Sequence, residues 1–238
     1  MRILVVKVNT TESMTEAIAA SARSAAAPGT EIVGLTPDVG ADSCEGNFES
    51  YFAALAVMDK VTRYPEPFDA VVQAGFGEHG REGLQELLDV PVVDITEAAA
   101  IVAGLLGHSY AVVTTLDRTV PLIKDRLLLA GLLSRCSAVV ASGLGVLELE
   151  ESPERAVEAI VGKSREVVAA GAEVICLGCG GMAGLDAKVR EATGVPVVDG
   201  VTAAVKLAES LVSLGLTTSK VRTYAPPRPK RLTGWPLV

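Results

Sequence analysis

The residue best suited to chemistry in this chain is Cys179, one of four cysteines among 238 residues. It lies in the turn Gly178-Cys179-Gly180-Gly181, directly after an apolar run typical of a buried strand. Glycines allow backbone N–H groups to approach a ligand, and N–H groups at a helix start lower a thiol pKa and stabilise anionic oxygen. We interpret Cys179 as an acid or base, with Gly180 and Gly181 as donors to an enolate oxygen. The alternative is a buried thiol without a role.

Cys176 and Cys179 also form a C-x-x-C pair. Such a pair acts in redox chemistry when it stands at a helix start, and a structural zinc site needs a second ligand pair. Cys176 lies inside the apolar run, and no second C-x-x-C pair occurs in the sequence. We therefore expect no metal site and no redox role, and we interpret Cys176 as a buried strand residue.

The segment around Cys179 is repeated earlier in the chain, with glycine in place of the thiol. Residues 69–99 contain GFGEHG followed by PVVD, and residues 172–204 contain GCGGMAG followed by PVVD. The repeat places Gly75 opposite Cys179 and Asp94 opposite Asp199. Two similar halves that face each other form a cleft with equivalent groups on its walls, which suits chemistry on both faces of one carbon atom. One wall of this cleft lacks its thiol.

Residues 75–80 also match G-x-G-x-x-G, a pattern typical of dinucleotide binding when an acid such as Asp94 follows at the next strand. The repeat argues against that function. Asp199 occupies the same place in the second copy, whose turn has a different sequence. We therefore interpret both acids as structural features of the repeated unit, and nucleotide binding as the less favoured alternative.

Polar residues also follow the apolar runs that open each half of the chain. They are Asn9, Thr10 and Thr11 after the first run, and Thr114 and Thr115 after the run that opens the second half. Such amides and hydroxyls bind carboxylate, imide or ureide groups, and they equally cap helices, so both interpretations stay open. Of the two histidines, His79 is a candidate acid or base in the glycine turn, and we expect no role for His108.

Eight short apolar runs, from residues 2–8 to 195–198, alternate with eight amphipathic stretches, from 13–26 to 201–214. Several runs are continuously apolar, as in parallel strands covered by helices on both faces. The pattern predicts an α/β fold with two similar lobes, each a parallel sheet with helices on both faces, related by pseudo-twofold symmetry. We expect lobe one at 1–96, lobe two at 97–201, a segment at 202–220 that crosses back onto lobe one, and a tail extension at 221–238.

Composition limits the function classes. The net charge of −8 has the wrong sign for a surface that neutralises phosphates, so we expect no nucleic-acid partner. No apolar run approaches the roughly 18 residues that span a bilayer, and Lys7 interrupts the apolar start of the chain. Four cysteines are too few for a disulfide scaffold. We expect a cytoplasmic protein without a membrane partner.

Together these motifs resemble those of the hydantoin and allantoin racemases in the aspartate/glutamate racemase superfamily. The resemblance extends over nearly the whole chain, through Asn9-Thr10-Thr11, Glu45-Gly46 followed by Phe48, FGEHG at 76–80 where the family typically has FGDPG, LGCGGMAG at 177–184, and LVSLGLTTSKVRTY at 211–224. It implies two flavodoxin-like lobes, no cofactor, a homo-oligomer and two cysteines acting from opposite faces of an acidic carbon. Cys179 matches the second cysteine, and Gly75 stands where the first should be.

The resemblance implies a small-molecule substrate: a hydantoin, a ureide or a carboxylic acid. We expect a racemase or epimerase that acts on a carbon next to a carbonyl, with Cys179 as its acid or base. The candidate substrate-binding residues are Asn9, Thr10, Thr11, Glu45, Phe76, Gly77, Thr114, Thr115, Gly180 and Gly181.

Gly75 departs from the family pattern, because racemisation needs one group to remove the α-proton and another to return a proton from the far side. Three enzymatic accounts stay open. The chain is a racemase altered at this position, or an isomerase whose second acid or base is His79 or Glu78. In the third, it is a decarboxylase similar to the arylmalonate decarboxylases, which have glycine at the first position and one cysteine proton donor. A silent ligand-binding homologue is an alternative from another class.

Overall fold

The computed structural model of the protein describes residues 1–231 and 233. Its eight strands are β1 (Arg2–Val6), β2 (Glu31–Leu35), β3 (Ala70–Gln73), β4 (Val92–Asp94), β5 (Tyr110–Thr114), β6 (Cys136–Ala141), β7 (Val174–Leu177) and β8 (Val197–Asp199). They form two four-stranded parallel sheets, in the order β2-β1-β3-β4 and β6-β5-β7-β8. The same order in both sheets confirms the predicted duplication of one α/β unit.

The helices alternate with the strands, as the apolar periodicity predicts. They are α1 (Glu12–Ala25), α2 (Asn47–Thr62), α3 (Arg81–Leu87), α4 (Ile95–Leu106), α5 (Val120–Leu129), α6 (Glu148–Glu151), α7 (Pro153–Ala169), α8 (Asp186–Thr193) and α9 (Gly200–Ser213). The short helix α6 was not expected. Its charged sequence carries no apolar stripe long enough to indicate a helix.

The last helix of each unit packs on the other sheet. Helix α4 contacts β7 and β8, while α9 contacts β3 and β4, and the two helices pack against each other. Their contact is close: a Cβ on Gly200 would lie 2.6 Å from the carbonyl oxygen of Ile95. This exchange of helices holds the sheets together, so that the carboxyl ends of the central strands β1, β3, β5 and β7 meet at one cleft.

The two repeated acids are helix N-caps. Asp94 Oδ1 accepts hydrogen bonds from the backbone N–H groups of Thr96 (2.8 Å) and Glu97 (2.9 Å) at the start of α4. Asp199 Oδ1 accepts from Val201 N (2.7 Å) at the start of α9. Asp94 is therefore a structural feature of the unit, as the repeat indicated, and both of its oxygens are engaged within the protein.

The chain after α9 returns to α3. Thr217 Oγ1 donates to the Asp89 carbonyl at 2.6 Å, and Lys220 Nζ donates to the Gln85 carbonyl at 2.7 Å. Part of the tail that we expected at 221–238 falls on residues 232 and 234–238, which lie outside the described residues. Among the residues that the structure describes, no helix is both long enough and apolar enough to cross a bilayer.

Candidate active site

A cavity of about 50 Å³ lies between the two sheets, at the carboxyl ends of their central strands. Nine of the predicted site residues line it: Asn9, Gly75, Phe76, His79, Thr114, Thr115, Cys179, Gly180 and Gly181. Both lobes contribute, since Asn9 and Gly75 follow β1 and β3, while Thr115 and Cys179 follow β5 and β7. The volume suits one or two water molecules.

Four other predicted binders do not line this cavity. The Thr10 and Thr11 hydroxyls donate to the carbonyls of Ala41 (3.2 Å) and Asp42 (2.7 Å), which ties the loop after β2 to the end of β1. Neither threonine caps α1 through its side chain.

The remaining two, Glu45 and Gly77, form hydrogen bonds within the protein and do not line the cavity. Glu45 Oε1 accepts from Val146 N at 2.8 Å, and Gly77 N donates to Thr96 Oγ1 at 2.8 Å. Glu45 thus links the β2–α2 loop of the first lobe to the second lobe, next to the cavity residue Val146.

Cys179 is half-buried at the start of a 3-10 turn. Its sulfur accepts the Gly181 N–H at 3.4 Å, and the N–H groups of Gly181 and Met182 lower its pKa. Burial has the larger effect and raises the pKa to about 11. The N–H groups of the turn thus lower the pKa as expected, but the net shift is upward, because desolvation of a thiolate outweighs two backbone donors.

Lys7 lines the same cavity and was missed by the sequence analysis. Its ammonium donates to the Thr11 carbonyl, and its charge favours the Cys179 thiolate. Burial lowers the pKa of Lys7 to about 8, against the opposing effects of Glu150 and Cys179. The available signal was a lysine within an apolar strand run, which is rare unless the charge has a partner.

The wall at Gly75 is filled by a neighbouring ring. A Cβ on Gly75 would lie 2.4 Å from both His79 Cδ2 and Val8 Cγ1, and 2.8 Å from Gln73 Nε2. His79 is buried, and burial lowers its pKa to about 4, so its imidazole is neutral at neutral pH. The space for the thiol that the repeat lacks is thus occupied by this imidazole.

Cys44 also lines the cavity, from the loop between β2 and α2. Its sulfur lies 3.7 Å from His79 Nδ1 and 3.6 Å from Ser50 Oγ. Burial raises its pKa to about 11, so it is a thiol at neutral pH. Nothing in the local sequence marks this cysteine, because its neighbour His79 is 35 residues away in the chain.

Thr114 stabilises the turn that carries the thiol. Its hydroxyl donates to the Gly178 carbonyl at 3.0 Å and lies 3.2 Å from Thr119 Oγ1. A Cβ on Gly178 would lie 2.6 Å from Val112 Cγ1, so this turn packs tightly on β5. Thr115, one residue further, remains at the cavity wall.

A buried ion cluster joins the lobes beside the Gly75 turn. Arg126 of α5 donates to Glu82 (2.6 Å), Glu97 (2.7 Å), Asp94 (2.9 Å) and Glu78 (3.1 Å). Glu78 thus points toward Arg126 and does not line the cavity. Burial and its neighbour Glu82 raise the pKa of Glu78 to about 7.

His108, expected to have no role, does not line the cavity either. Within the described ranges, no group of three or more His, Cys, Asp or Glu side chains is arranged to hold a metal ion. The chemistry that the cavity residues offer is proton transfer by thiols, next to an ammonium and backbone N–H donors.

Two duplicated α/β lobes around a cavity with a thiol define a class of enzymes that act on one small molecule between the lobes. Residues 3–208 match the model of the Asp/Glu/hydantoin racemase family, and the chain belongs to this family. It is an isomerase of the racemase type.

Relatives match over nearly the full length. A hydantoin racemase from Pseudomonas sp. strain NS671 is 36% identical over 236 residues, which cover 98% of this chain and 95% of the relative. The structure of an allantoin racemase from Pseudomonas fluorescens matches with a TM-score of 0.97 and 71% identity, covering 98% and 100% of the two chains. That of the Klebsiella pneumoniae allantoin racemase matches with a TM-score of 0.95 and 41% identity, covering 98% and 96%.

Proposed function

We propose that the protein racemises a cyclic ureide at the carbon next to a ring carbonyl, with allantoin as the preferred substrate and 5-substituted hydantoins as the next candidates. The observation that carries this proposal is the Cys179 thiol in the cavity between two lobes that match a Pseudomonas fluorescens allantoin racemase at 71% identity. A carbon between a carbonyl and a nitrogen is acidic enough for a thiolate to deprotonate when donors stabilise the resulting enolate.

Cys179 moves the proton on the wall of the second lobe. Lys7 and the Gly181 N–H stabilise its thiolate, which then removes the α-proton. The C–H electron pair enters the enolate, and backbone N–H groups of Gly180 and Gly181 are the proposed donors to its oxygen. Asn9, Thr114 and Thr115 line the cavity and are proposed to orient the ring amides.

Decarboxylation of a malonate-like diacid is the second candidate, and the observation that favours it is Gly75. A decarboxylase needs a single proton donor, because loss of CO₂ leaves an enediolate that one thiol protonates. Such a reaction yields a chiral product from a prochiral diacid, and the α-proton of that product does not exchange afterwards.

The experiment uses the purified chain in D₂O with each enantiomer of allantoin, with a 5-substituted hydantoin and with an arylmalonate. With the native protein we expect loss of optical rotation together with α-deuteration for the ureides. With Cys179→Ser the optical rotation of each ureide should persist. The matched control is Cys136→Ser, since Cys136 is a half-buried thiol at the start of β6 that does not line the cavity. Release of CO₂ from the arylmalonate without racemisation of any ureide would support the decarboxylase instead.

We also propose a cytoplasmic homo-oligomer. Phe48, Tyr51 and Leu55 lie on one face of α2 and are 78%, 69% and 37% exposed. A second copy of the chain is the proposed cover for this face. Light scattering should give more than one chain per particle for the native protein and a smaller particle for Tyr51→Glu. A monomeric native protein would contradict the proposal.

A further inference from the structure

We propose that Cys44, positioned by His79, is the second acid or base of this enzyme, and that it does the work of the thiol that is missing at Gly75. This inference rests on the proposed racemase function, because only inversion at carbon needs a second group. In this proposal the acid or base on the Gly75 side of the cavity comes from the β2–α2 loop and not from the turn after β3.

The first step of the argument is steric. A side chain at position 75 would displace His79 or Val8, because His79 Cδ2 and Val8 Cγ1 each lie 2.4 Å from where its Cβ would stand. The ring that fills this space presents its Nδ1 to the Cys44 sulfur at 3.7 Å. The imidazole therefore replaces the missing side chain in space and holds another thiol beside it.

The second step is placement across the cavity. Cys44 comes from the β2–α2 loop of the first sheet's unit and Cys179 from the turn after β7 of the second, and both line the same cavity. The two thiols are close enough for the charge of one to raise the pKa of the other. In the proposed arrangement the substrate lies between these two sulfurs.

A third observation concerns the polar group that lies behind the Gly75 wall. Gln73 is fully buried, and neither of its side-chain amide atoms has a hydrogen-bond partner within the described residues. Its Nε2 lies 2.8 Å from the place of a Gly75 Cβ. Gln73 does not line the cavity, so the wall behind Gly75 supplies no acid or base of its own.

The charges around the two sulfurs differ in sign, which gives them complementary roles. Cys179 faces the Lys7 ammonium and the N–H groups of Gly181 and Met182, which all favour its thiolate, while Glu45 opposes them. Cys44 faces Glu49 and Glu45, whose negative charges favour its thiol, and only the Ser50 hydroxyl opposes them. Burial nevertheless raises both pKa values to about 11, so both sulfurs are thiols at rest, and one of them must lose its proton before it acts as the base.

The proton transfers balance. The Cys179 thiolate takes the α-proton, the C–H bond breaks, and its electron pair enters the enolate. Cys44 then donates its S–H proton to the opposite face of the same carbon, where a new C–H bond forms. Cys44 ends as the thiolate and Cys179 as the thiol, and the opposite enantiomer reverses both steps. The number of protons on the protein does not change.

The other candidates for the second group fit less well. His79 is neutral and buried, and in the tautomer with its proton on Nε2 its Nδ1 accepts the Cys44 S–H. It is thus a positioning residue. Glu78 is bound to Arg126 at 3.1 Å, outside the cavity lining.

The first test separates racemisation from proton exchange. Cys44→Ala and Cys44→Ser are incubated in D₂O with each enantiomer of allantoin, and Cys136→Ala is the matched control. We expect racemisation to fall by about 10²- to 10⁴-fold, the range for one general acid or base. The enantiomer whose α-proton faces Cys179 should still gain deuterium with retention of configuration. Cys136→Ala should behave as the native protein.

Two outcomes of this test overturn the inference. The first is racemisation by Cys44→Ala at the native rate. The second is equal loss of exchange for both enantiomers with the circular dichroism spectrum unchanged, since a group acting on one face cannot abolish exchange on the other.

The second test does not depend on turnover. 1,3-Dichloroacetone, whose two electrophilic carbons are joined through one carbonyl carbon, is added to the native protein. Peptide mass spectrometry should find a Cys44–Cys179 link that is absent in Cys44→Ser, and no link between Cys136 and Cys176. A native protein that forms this link but racemises no ureide contradicts the proposed function and leaves the placement supported. Absence of the link contradicts the placement itself.

Discussion

His79 occupies the space that a side chain on Gly75 would fill, with its Cδ2 atom 2.4 Å from the place of a Gly75 Cβ. The two residues are therefore coupled, since a thiol at position 75 and an imidazole at this place exclude each other. The same ring contacts a thiol, since its Nδ1 lies 3.7 Å from the Cys44 sulfur.

The substitution Gly75→Cys should not simply restore a family-like site. The new side chain meets His79, Val8 and Gln73 at 2.4–2.8 Å, so we expect destabilisation by about 1–3 kcal/mol, the usual effect of overpacking. Urea unfolding of the native protein and Gly75→Cys measures this difference. The double variant Gly75→Cys/His79→Ala removes the closest ring atom and should recover part of the loss. Equal stability of the native protein and Gly75→Cys would contradict the steric relationship.

The pH dependence of kcat/KM should follow the Lys7–Cys179 pair. Burial lowers the Lys7 pKa to about 8 and raises the Cys179 pKa to about 11, so the pair loses its first proton near pH 8. The ammonium–thiolate and amine–thiol forms contain the same number of protons, so the reactive form accumulates as pH rises toward 8. We expect kcat/KM to rise about tenfold per pH unit below 8 and then to level off.

The variant Lys7→Met tests which group causes kcat/KM to rise with pH below pH 8. Without the ammonium, Cys179 deprotonates alone, so the rise of kcat/KM should shift to higher pH by at least one pH unit. The control is Lys163→Met, since Lys163 is a partly exposed residue of α7 that pairs with Glu166 at 2.8 Å and does not line the cavity. An unchanged pH dependence of kcat/KM in Lys7→Met would show that Lys7 does not act on Cys179.

Arg126 should contribute strongly to stability. Its guanidinium is buried and donates to four carboxylates at 2.6–3.1 Å, so its removal leaves Arg81 to compensate Glu82, Asp94 and Glu97, which it contacts at 2.8–3.4 Å. We expect Arg126→Met to lower the free energy of unfolding by about 3–5 kcal/mol. Arg155→Met, which removes an exposed guanidinium 3.6 Å from Glu148, should change it by less than about 1 kcal/mol. Similar values for the two variants would contradict the role of the cluster.

The contribution of Glu78 to stability should fall between about pH 5 and pH 7, while the lowered pKa of the buried His79 makes that residue's own contribution rise from about pH 4 to 6.5. The Glu78 pKa is raised to about 7 in the folded protein, from an ordinary value of 4.5, so the folded state holds more protons on this group than the unfolded state in this window. Stability that depends on a bound proton is lost as pH rises. Its partner Glu82 has a pKa lowered to about 2, so its own contribution is lost only below pH 4.5.

Urea unfolding at pH 5.0 and 7.5 measures this effect. Relative to the native protein, we expect Glu78→Gln to lose less stability, or to gain more, between these two pH values, because glutamine does not titrate. The control is Glu154→Gln, a residue in the first turn of α7 that does not belong to the Arg126 cluster. Equal pH sensitivity of native protein and Glu78→Gln would contradict the assignment.

Much of the fold follows from local sequence. Apolar runs of strand length alternate with amphipathic stretches, and the duplicated PVVD motif marks the end of each sheet, so the sequence alone predicts eight strands in two equivalent units. Cys179 is identified in the same way, because a thiol among glycines after a buried strand is a local pattern. These features depend on contacts between residues that are near each other in the chain.

Only the tertiary structure shows which residues form the Gly75 side of the cavity. Cys44 and His79 are 35 residues apart, and their contact depends on how the β2–α2 loop folds over the end of β3. The same holds for Lys7 beside Cys179, and for the net rise of the Cys179 pKa, which depends on desolvation by both lobes. Burial and side-chain direction are set by packing across the whole cleft, so the type and spacing of residues cannot supply them.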